Sequence, residues 1–90
     1  TLEVWRGGEA IQLNPTALKI LQALMEASPS VVTRNELETK VWGEELPDSD
    51  SLRVHIHGLR AAIDKPFPVA LIQTRHGIGY RIVNPDAVQA

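Results

Sequence analysis

The chain has 90 residues, 43% of them hydrophobic, no cysteine and a formal net charge of −2. This length predicts one domain, residues 1–90, and the lack of cysteine excludes a disulfide framework or a thiolate zinc site and fits the reducing cytoplasm. No apolar run approaches the ~20 residues that cross a bilayer, so we expect no membrane contact.

The first predicted element is a β-hairpin in residues 1–13. Apolar and polar residues alternate at 2–5 and again at 10–13, as in half-buried strands. Between them, Gly7-Gly8 supplies the positive φ of a tight turn. Two strands alone are marginal in water, so we expect further strands before Thr1 in a longer parent protein.

Residues 14–65 are predicted to form a core of three helices. Asn14 is a good N-cap and Pro15 suits a first turn, so the first helix begins here and ends near residue 27. A β-branched pair at 31–32 favours a short bridge. Thr33 then begins a capping box that opens the second helix, which ends at Gly43 and is followed by an acidic loop.

The third helix, at about residues 50–64, is predicted to be amphipathic. Asp48, Ser49 or Asp50 serves as its N-cap, and Pro66 prevents it from continuing. One side of its helical wheel carries Leu52, His55, Ile56, Leu59 and Ile63, and the other carries Asp50, Arg53, Val54, His57, Gly58 and Ala61. We expect the first side to pack on the core and the second to face solvent.

Residues 69–83 are predicted to form a second hairpin, with strands at 69–72 and 80–83. Gly77-Ile78-Gly79 could suggest a phosphate-cradling loop, but a strand follows it where such a loop needs a helix, so a hairpin turn is favoured. Residues 84–90 are predicted to be a frayed tail.

The order of the elements predicts an α+β winged helix-turn-helix fold, with an N-terminal antiparallel hairpin or sheet, three helices and a C-terminal hairpin wing. Residues 1–52 carry four basic and nine acidic side chains, whereas residues 53–82 carry five basic and one acidic. An acidic total argues against nucleic acid as a ligand, but a local basic patch still neutralises phosphates.

Five segments resemble the C-terminal effector domain of OmpR/PhoB-type response regulators. They are LNPT at 13–16, PSVVTRNEL at 29–37, VWG at 41–43, VHIHGLR at 54–60 and TRHGIGYR at 74–81. The resemblance covers nearly the whole chain. It implies a cytoplasmic, sequence-specific double-stranded DNA-binding domain that regulates transcription. It also implies homodimers on tandem sites, contact with RNA polymerase, and an upstream receiver domain that a cognate sensor kinase phosphorylates.

The third helix is predicted to lie in the major groove, and the wing segment 74–79 on the backbone and the minor groove. Arg53 can fork onto guanine, Val54 can meet a thymine methyl group, and Arg60, at the flank, suits a phosphate. The resemblance implies wing contacts by Thr74 and His76. The predicted DNA-binding residues are Trp42, Ser51, Arg53, Val54, His57, Arg60, Thr74, Arg75 and His76.

Several of these residues have simpler interpretations. Arg53 and Arg60 are plain surface charges in the alternative interpretation, and His57 either contacts DNA or only faces solvent. Trp42 either packs at the rim of the core or, as the resemblance implies, donates its indole N–H to a phosphate.

Three positions depart from the resembled family. Its members commonly carry basic residues where this chain has Gly58 and Ala61, and arginine where it has His76. Fewer cations weaken non-specific binding and make its salt dependence shallower. These departures favour the competing hypothesis, a winged-helix module that binds proteins and no DNA.

Metal binding and catalysis are not predicted. On a helix, His55 and His57 lie roughly 160° apart and cannot share one ion, so His55 is expected to be a half-buried packing residue. Glu44 and Glu45 belong to a loop typical of solvated charges. The sequence lacks a nucleophile–base pair and a cofactor motif, so we expect neither enzyme activity nor a cofactor.

Overall fold

The computed structural model describes residues 3–45, 48 and 50–89. Leu2, Ser49 and Ala90, on which some predictions fall, lie outside these ranges. The elements in chain order are β1 (Val4–Arg6), β2 (Glu9–Ile11), α1 (Pro15–Ala27), β3 (Val32–Thr33), α2 (Arg34–Trp42), α3 (Ser51–Ile63), β4 (Ile72–Arg75), β5 (Gly79–Ile82), a 3-10 turn (Pro85–Ala87) and β6 (Val88–Gln89).

The N-terminal sheet has the strand order β2-β1-β6. Gly7 and Gly8 form its turn with φ of 60° and 79°. Arg6 pairs with Glu9, so both residues belong to the strands and the turn is shorter than predicted. Among the described residues, the third strand of this sheet is β6, which comes from the C-terminal end and pairs antiparallel with β1.

The prediction of a frayed tail is wrong for residues 84–89, the part of it that the structure describes. Residues 85–87 form the 3-10 turn, and β6 follows it directly. Val88 is only 3% exposed, because it pairs with Arg6 in the sheet and packs against the core. Val88 is the only large apolar residue in this short segment, so no periodic pattern indicated the strand.

The helices begin largely as the sequence predicts. The Asn14 side chain accepts a hydrogen bond from the Ala17 amide at 2.8 Å. The capping box of α2 is complete: Thr33 Oγ1 accepts from the Glu36 amide at 3.1 Å, and the Glu36 carboxylate accepts from the Thr33 amide at 3.0 Å. Asp50 occupies the N-cap position of α3 but makes no side-chain capping bond.

The core lies between the three helices and the two sheets. Its fully buried side chains are Ile20, Leu21, Leu24, Leu37, Leu52, Ile56, Leu59, Ile63, Leu71 and Ile82. Four of them lie on the side of α3 that the helical wheel assigned to the core. That orientation leaves the other side of α3 exposed.

The C-terminal hairpin belongs to a second sheet, in the order β3-β5-β4. The predicted first strand at 69–72 is wrong, since β4 begins at Ile72. Side chains take up the backbone groups that a strand would use: the Val69 carbonyl accepts from Arg6, and the Leu71 amide donates to Asp64. Arg75 pairs with Gly79, so the turn spans only residues 76–78.

Glycine is needed at two positions of the hairpin, for a different physical reason at each. Gly77 has a φ of +77°, which the turn requires and which favours glycine. Gly79 lies where β5 meets β3, and a Cβ there would stand 2.0 Å from the Val32 carbonyl oxygen. Gly79 thus permits the close pairing that attaches the hairpin to the helical core.

A buried ion pair connects β1 to the end of α3. Arg6 Nη1 lies 3.3 Å from Asp64 Oδ1, and the two side chains are 8% and 6% exposed. Arg6 also donates to the Ile63 carbonyl and lies over the Phe67 ring. The Asp64 carboxylate accepts from the Leu71 amide at 2.9 Å. The pair thereby joins β1, the end of α3 and the segment before β4.

Candidate nucleic-acid interface

The exposed side of α3 is the first part of the candidate interface. Arg53, Val54, His57 and Gly58 are all exposed there, and Val54, an apolar residue, has 63% of its surface accessible. An ideal Cβ built on Gly58 meets no atom within 4 Å. The helix backbone is therefore open to solvent at Gly58.

Trp42 on α2 and His55 on α3 pack against each other. Their ring centroids are 5.8 Å apart with a 46° interplanar angle, and both residues are half-buried. This contact confirms that His55 is a packing residue. His57 points away from it on the exposed side of the helix.

A groove of about 400 Å³ runs between α3 and the wing. Its lining residues are Arg34, Arg53, Arg60, Thr74, Arg75, His76, Gly77, Ile78, Gly79 and Tyr80. Four are arginines, and none of the described lining residues is acidic. The groove therefore concentrates positive charge on a chain whose net charge is −2, as an anionic ligand such as a phosphate backbone requires.

Arg60 is held by the wing. Its Nη2 donates to Thr74 Oγ1 and, at 3.4 Å, to the Ile72 carbonyl. Its guanidinium carbon lies 5.8 Å from the centroid of the Tyr80 ring. Arg60 and Thr74 were both predicted to contact DNA, and in this structure their side chains contact each other.

The structure brings most of the predicted residues to one side of the molecule. Five of them line the groove: Arg53, Arg60, Thr74, Arg75 and His76. Val54 and His57 belong to the exposed face of α3 beside it. Ser51 is half-buried in the first turn of α3, and neither it nor Trp42 lines the groove.

Five groove residues are missing from the predicted DNA-binding residues: Arg34, Gly77, Ile78, Gly79 and Tyr80. Arg34 lies at the start of α2, and its amide donates to the Ile78 carbonyl at 3.3 Å. Ile78 is 57% exposed at the wing turn. Both lie within segments that carry the family resemblance, but only the pairing of β3 with β5 brings the start of α2 to the wing.

The described residues form neither a metal cluster nor a membrane-spanning helix. No group of three or more His, Cys, Asp or Glu side chains is arranged to hold a metal ion in that part of the chain. None of its helices has the length and apolar character that crossing a membrane requires.

Three helices followed by a hairpin that packs beside the third helix define a winged-helix domain. The family model described as "Transcriptional regulatory protein, C terminal" matches residues 8–82. The chain therefore belongs to this family of C-terminal domains of transcriptional regulators, which confirms the predicted fold class and the resemblance to response regulator effector domains.

Two curated relatives illustrate the similarity. The chain is 39% identical over 83 residues to the transcriptional regulatory protein BasR of Escherichia coli, covering 90% of this chain and 35% of BasR. It is 36% identical over 86 residues to the response regulator PmrA of Pseudomonas aeruginosa, covering 94% of this chain and 37% of PmrA. The chain thus spans little more than a third of the length of these relatives.

Solved structures have the same fold. The response regulator DrrB, an OmpR/PhoB homolog of Thermotoga maritima, superposes with a TM-score of 0.75 at 32% identity, covering 86% of this chain and 36% of DrrB. The DNA-binding domain of CpxR from E. coli gives a TM-score of 0.72 at 27% identity, covering 89% of this chain and 80% of that one.

Proposed function

We propose that this chain is a sequence-specific, double-stranded DNA-binding domain and the effector part of a two-component transcriptional response regulator. The observation that carries the proposal is the exposed face of α3 beside a groove lined by four arginines and a histidine. An α-helix fits the major groove of B-DNA, and the adjoining wing brings further cations toward the phosphates.

The side chains have distinct roles in this proposal. Arg53 forks onto guanine and Val54 meets a thymine methyl group, with His57 beside them. Arg75 and His76 contact the backbone and the minor groove from the wing. Ser51 and Trp42 donate to phosphates at the two ends of the loop between α2 and α3.

The proposed context is that of the whole regulator. We infer a cytoplasmic protein with a phosphorylated receiver domain and a cognate sensor kinase. What supports this inference is that a relative of this chain, PmrA, is a response regulator. We infer that the domain binds tandem sites as a homodimer and contacts RNA polymerase. Its own role is to bind, not to catalyse a reaction.

Selection from a random duplex pool, followed by titration of the selected sequence across salt concentrations, tests the proposal. We expect a preferred sequence and affinity that falls as salt rises. Arg53→Ala should lower specific affinity by about 1–3 kcal/mol and relax the preference at one base pair. Lys19→Ala, at an exposed position of α1 outside the groove, is the control.

A second candidate is a winged-helix module that binds only proteins. The uncharged positions Gly58 and Ala61 on the exposed face of α3 and the net charge of −2 favour it. It predicts no selected sequence and no salt-dependent duplex binding. An equal loss of affinity for all duplexes in Arg53→Ala would instead assign Arg53 to a phosphate.

A further inference from the structure

Arg60 is a groove arginine whose side chain has two hydrogen-bond acceptors on the wing. The acceptors, the Ile72 carbonyl and Thr74 Oγ1, belong to β4, and the ring beside its guanidinium, Tyr80, belongs to β5. One side chain of α3 therefore contacts both strands of the wing. Arg53 on α3 and Arg75 on β4 are, in contrast, exposed.

A second contact with the helix lies at the base of the wing. The Asp64 carboxylate accepts from the Ile72 amide at 3.1 Å, where β4 begins. Thr74 lies two residues closer to the turn, roughly 7 Å along a strand. The pairing of β5 with β3 already attaches the hairpin to the core. The contact with Arg60 adds a second attachment of β4 to α3, nearer the turn than the one at Asp64.

The direction of the wing matters because its turn lies beyond both contacts. Arg53 on the helix and His76 on the wing reach one duplex together only if their separation matches the DNA surface. Holding that separation before binding removes an ordering cost from association. The planar fork of arginine suits this task, since it makes several bonds in fixed directions while lying over an aromatic ring.

We propose that Arg60 is a positioning residue that sets the angle between α3 and the wing through Thr74 and Tyr80, and that it is not a phosphate ligand. This inference rests on the proposed DNA binding. It assigns Thr74 the same task, as the hydroxyl acceptor of Arg60. The direct DNA contacts of the wing then fall to Arg75 and His76.

Arg60→Lys separates the two roles because it keeps the charge and loses the fork. A phosphate ligand tolerates lysine, a point charge that binds phosphate well. A positioning residue does not, so we expect affinity for the selected duplex to fall about ten-fold with an unchanged salt slope. Arg81→Lys, the same exchange on β5 of the wing but outside the groove lining, is the matched control.

Thr74→Val removes only the acceptor, and it should cause a similar loss. The double variant should lose little more than either single variant, because both break one contact. Near-wild-type binding by Arg60→Lys, or additive losses in the double variant, would overturn the inference. So would a salt slope reduced by about one in Arg60→Gln, which is the signature of a lost phosphate contact.

Amide hydrogen exchange in the free domain tests the same contact without DNA. We expect faster exchange in β4 and β5 of Arg60→Lys and Thr74→Val, with α1 unchanged. If the wild-type domain binds no duplex at any salt concentration, the proposed function fails, and the exchange rates alone decide the inference. Unchanged exchange in the wing would then refute it.

Discussion

Two arginines of this chain show how the same residue type serves different purposes. Arg6 is 7% exposed and forms an ion pair with Asp64, whereas Arg53 is exposed on α3 beside the groove. Removing a buried charge from water is costly unless it is paired and hydrogen-bonded. Arg6 therefore contributes to the fold, and Arg53 remains available to a ligand.

The Arg6–Asp64 pair leads to a prediction about stability. Asp64→Ala would leave Arg6 buried without its counter-charge and the Leu71 and Ile72 amides without an acceptor. We expect a loss of about 3–5 kcal/mol in the free energy of unfolding, measured by urea denaturation. Asp86→Ala, at an exposed position, should stay within about 0.5 kcal/mol of wild type. Equal stability of the two variants would contradict this role for Asp64.

At the scale of elements, the wing depends on the approach of β5 to β3. A methyl group at Gly79 would collide with the Val32 carbonyl oxygen, so Gly79→Ala must separate the two strands. We expect it to cost about 1–3 kcal/mol or more of stability in thermal or chemical denaturation. Gly58→Ala, where the added Cβ meets nothing within 4 Å, is the control and should not destabilise. A Gly79→Ala variant as stable as wild type would disprove the pairing.

The start of α2 has a titratable capping group. Hydrogen bonds from the Thr33 backbone and hydroxyl, together with Lys40, hold the pKa of Glu36 below its ordinary value. A carboxyl whose pKa is lowered in the folded state stabilises the fold above its unfolded pKa, and this contribution is lost as the pH falls through the folded pKa.

Glu36→Gln tests this contribution, because glutamine suits the same capping position but does not titrate. As the pH falls below roughly 4, we expect the wild type to lose stability relative to Glu36→Gln. Denaturant midpoints measured at a series of pH values provide the comparison, and Glu26→Gln, exposed on α1, is the control. A constant difference between wild type and Glu36→Gln across this range would argue against the shifted pKa.

At the scale of the whole molecule, the two ends of the chain meet in one sheet. β6 pairs with β1, and Val88 joins the core from the C-terminal end. Val88→Ala should therefore reduce the free energy of unfolding by about 1.5–3 kcal/mol. Val69→Ala, where 57% of the side chain is exposed, should change it little. If the C-terminal end were frayed, Val88→Ala and Val69→Ala would instead give indistinguishable denaturation curves.

Much of the fold was predictable because its signals are local. The capping box at Thr33, the two sides of α3 and the Gly7-Gly8 turn each depend on residues within a few positions of one another. The start of β4 was not predictable in this way. Its shift to Ile72 depends on the bond that the Val69 carbonyl accepts from Arg6 and on the bond that the Leu71 amide donates to Asp64. Arg6 lies more than sixty residues earlier in the chain.

In the candidate site, too, some residues were predictable from local patterns and others depend on tertiary contacts. Periodicity alone identified the exposed face of α3 with Arg53, Val54 and His57. The inclusion of Arg34 in the groove depends on the packing of α2 beside the wing, and the engagement of Arg60 depends on where β4 and β5 lie.

The sequence by itself determined which residues form helices, which side of α3 is free, and the family to which the chain belongs, because periodic and motif signals act over short distances. Only the tertiary structure decided which charges are buried, which arginine the wing holds, and which end of the chain completes the N-terminal sheet. These outcomes depend on contacts between residues far apart in the chain, and no local pattern encodes them.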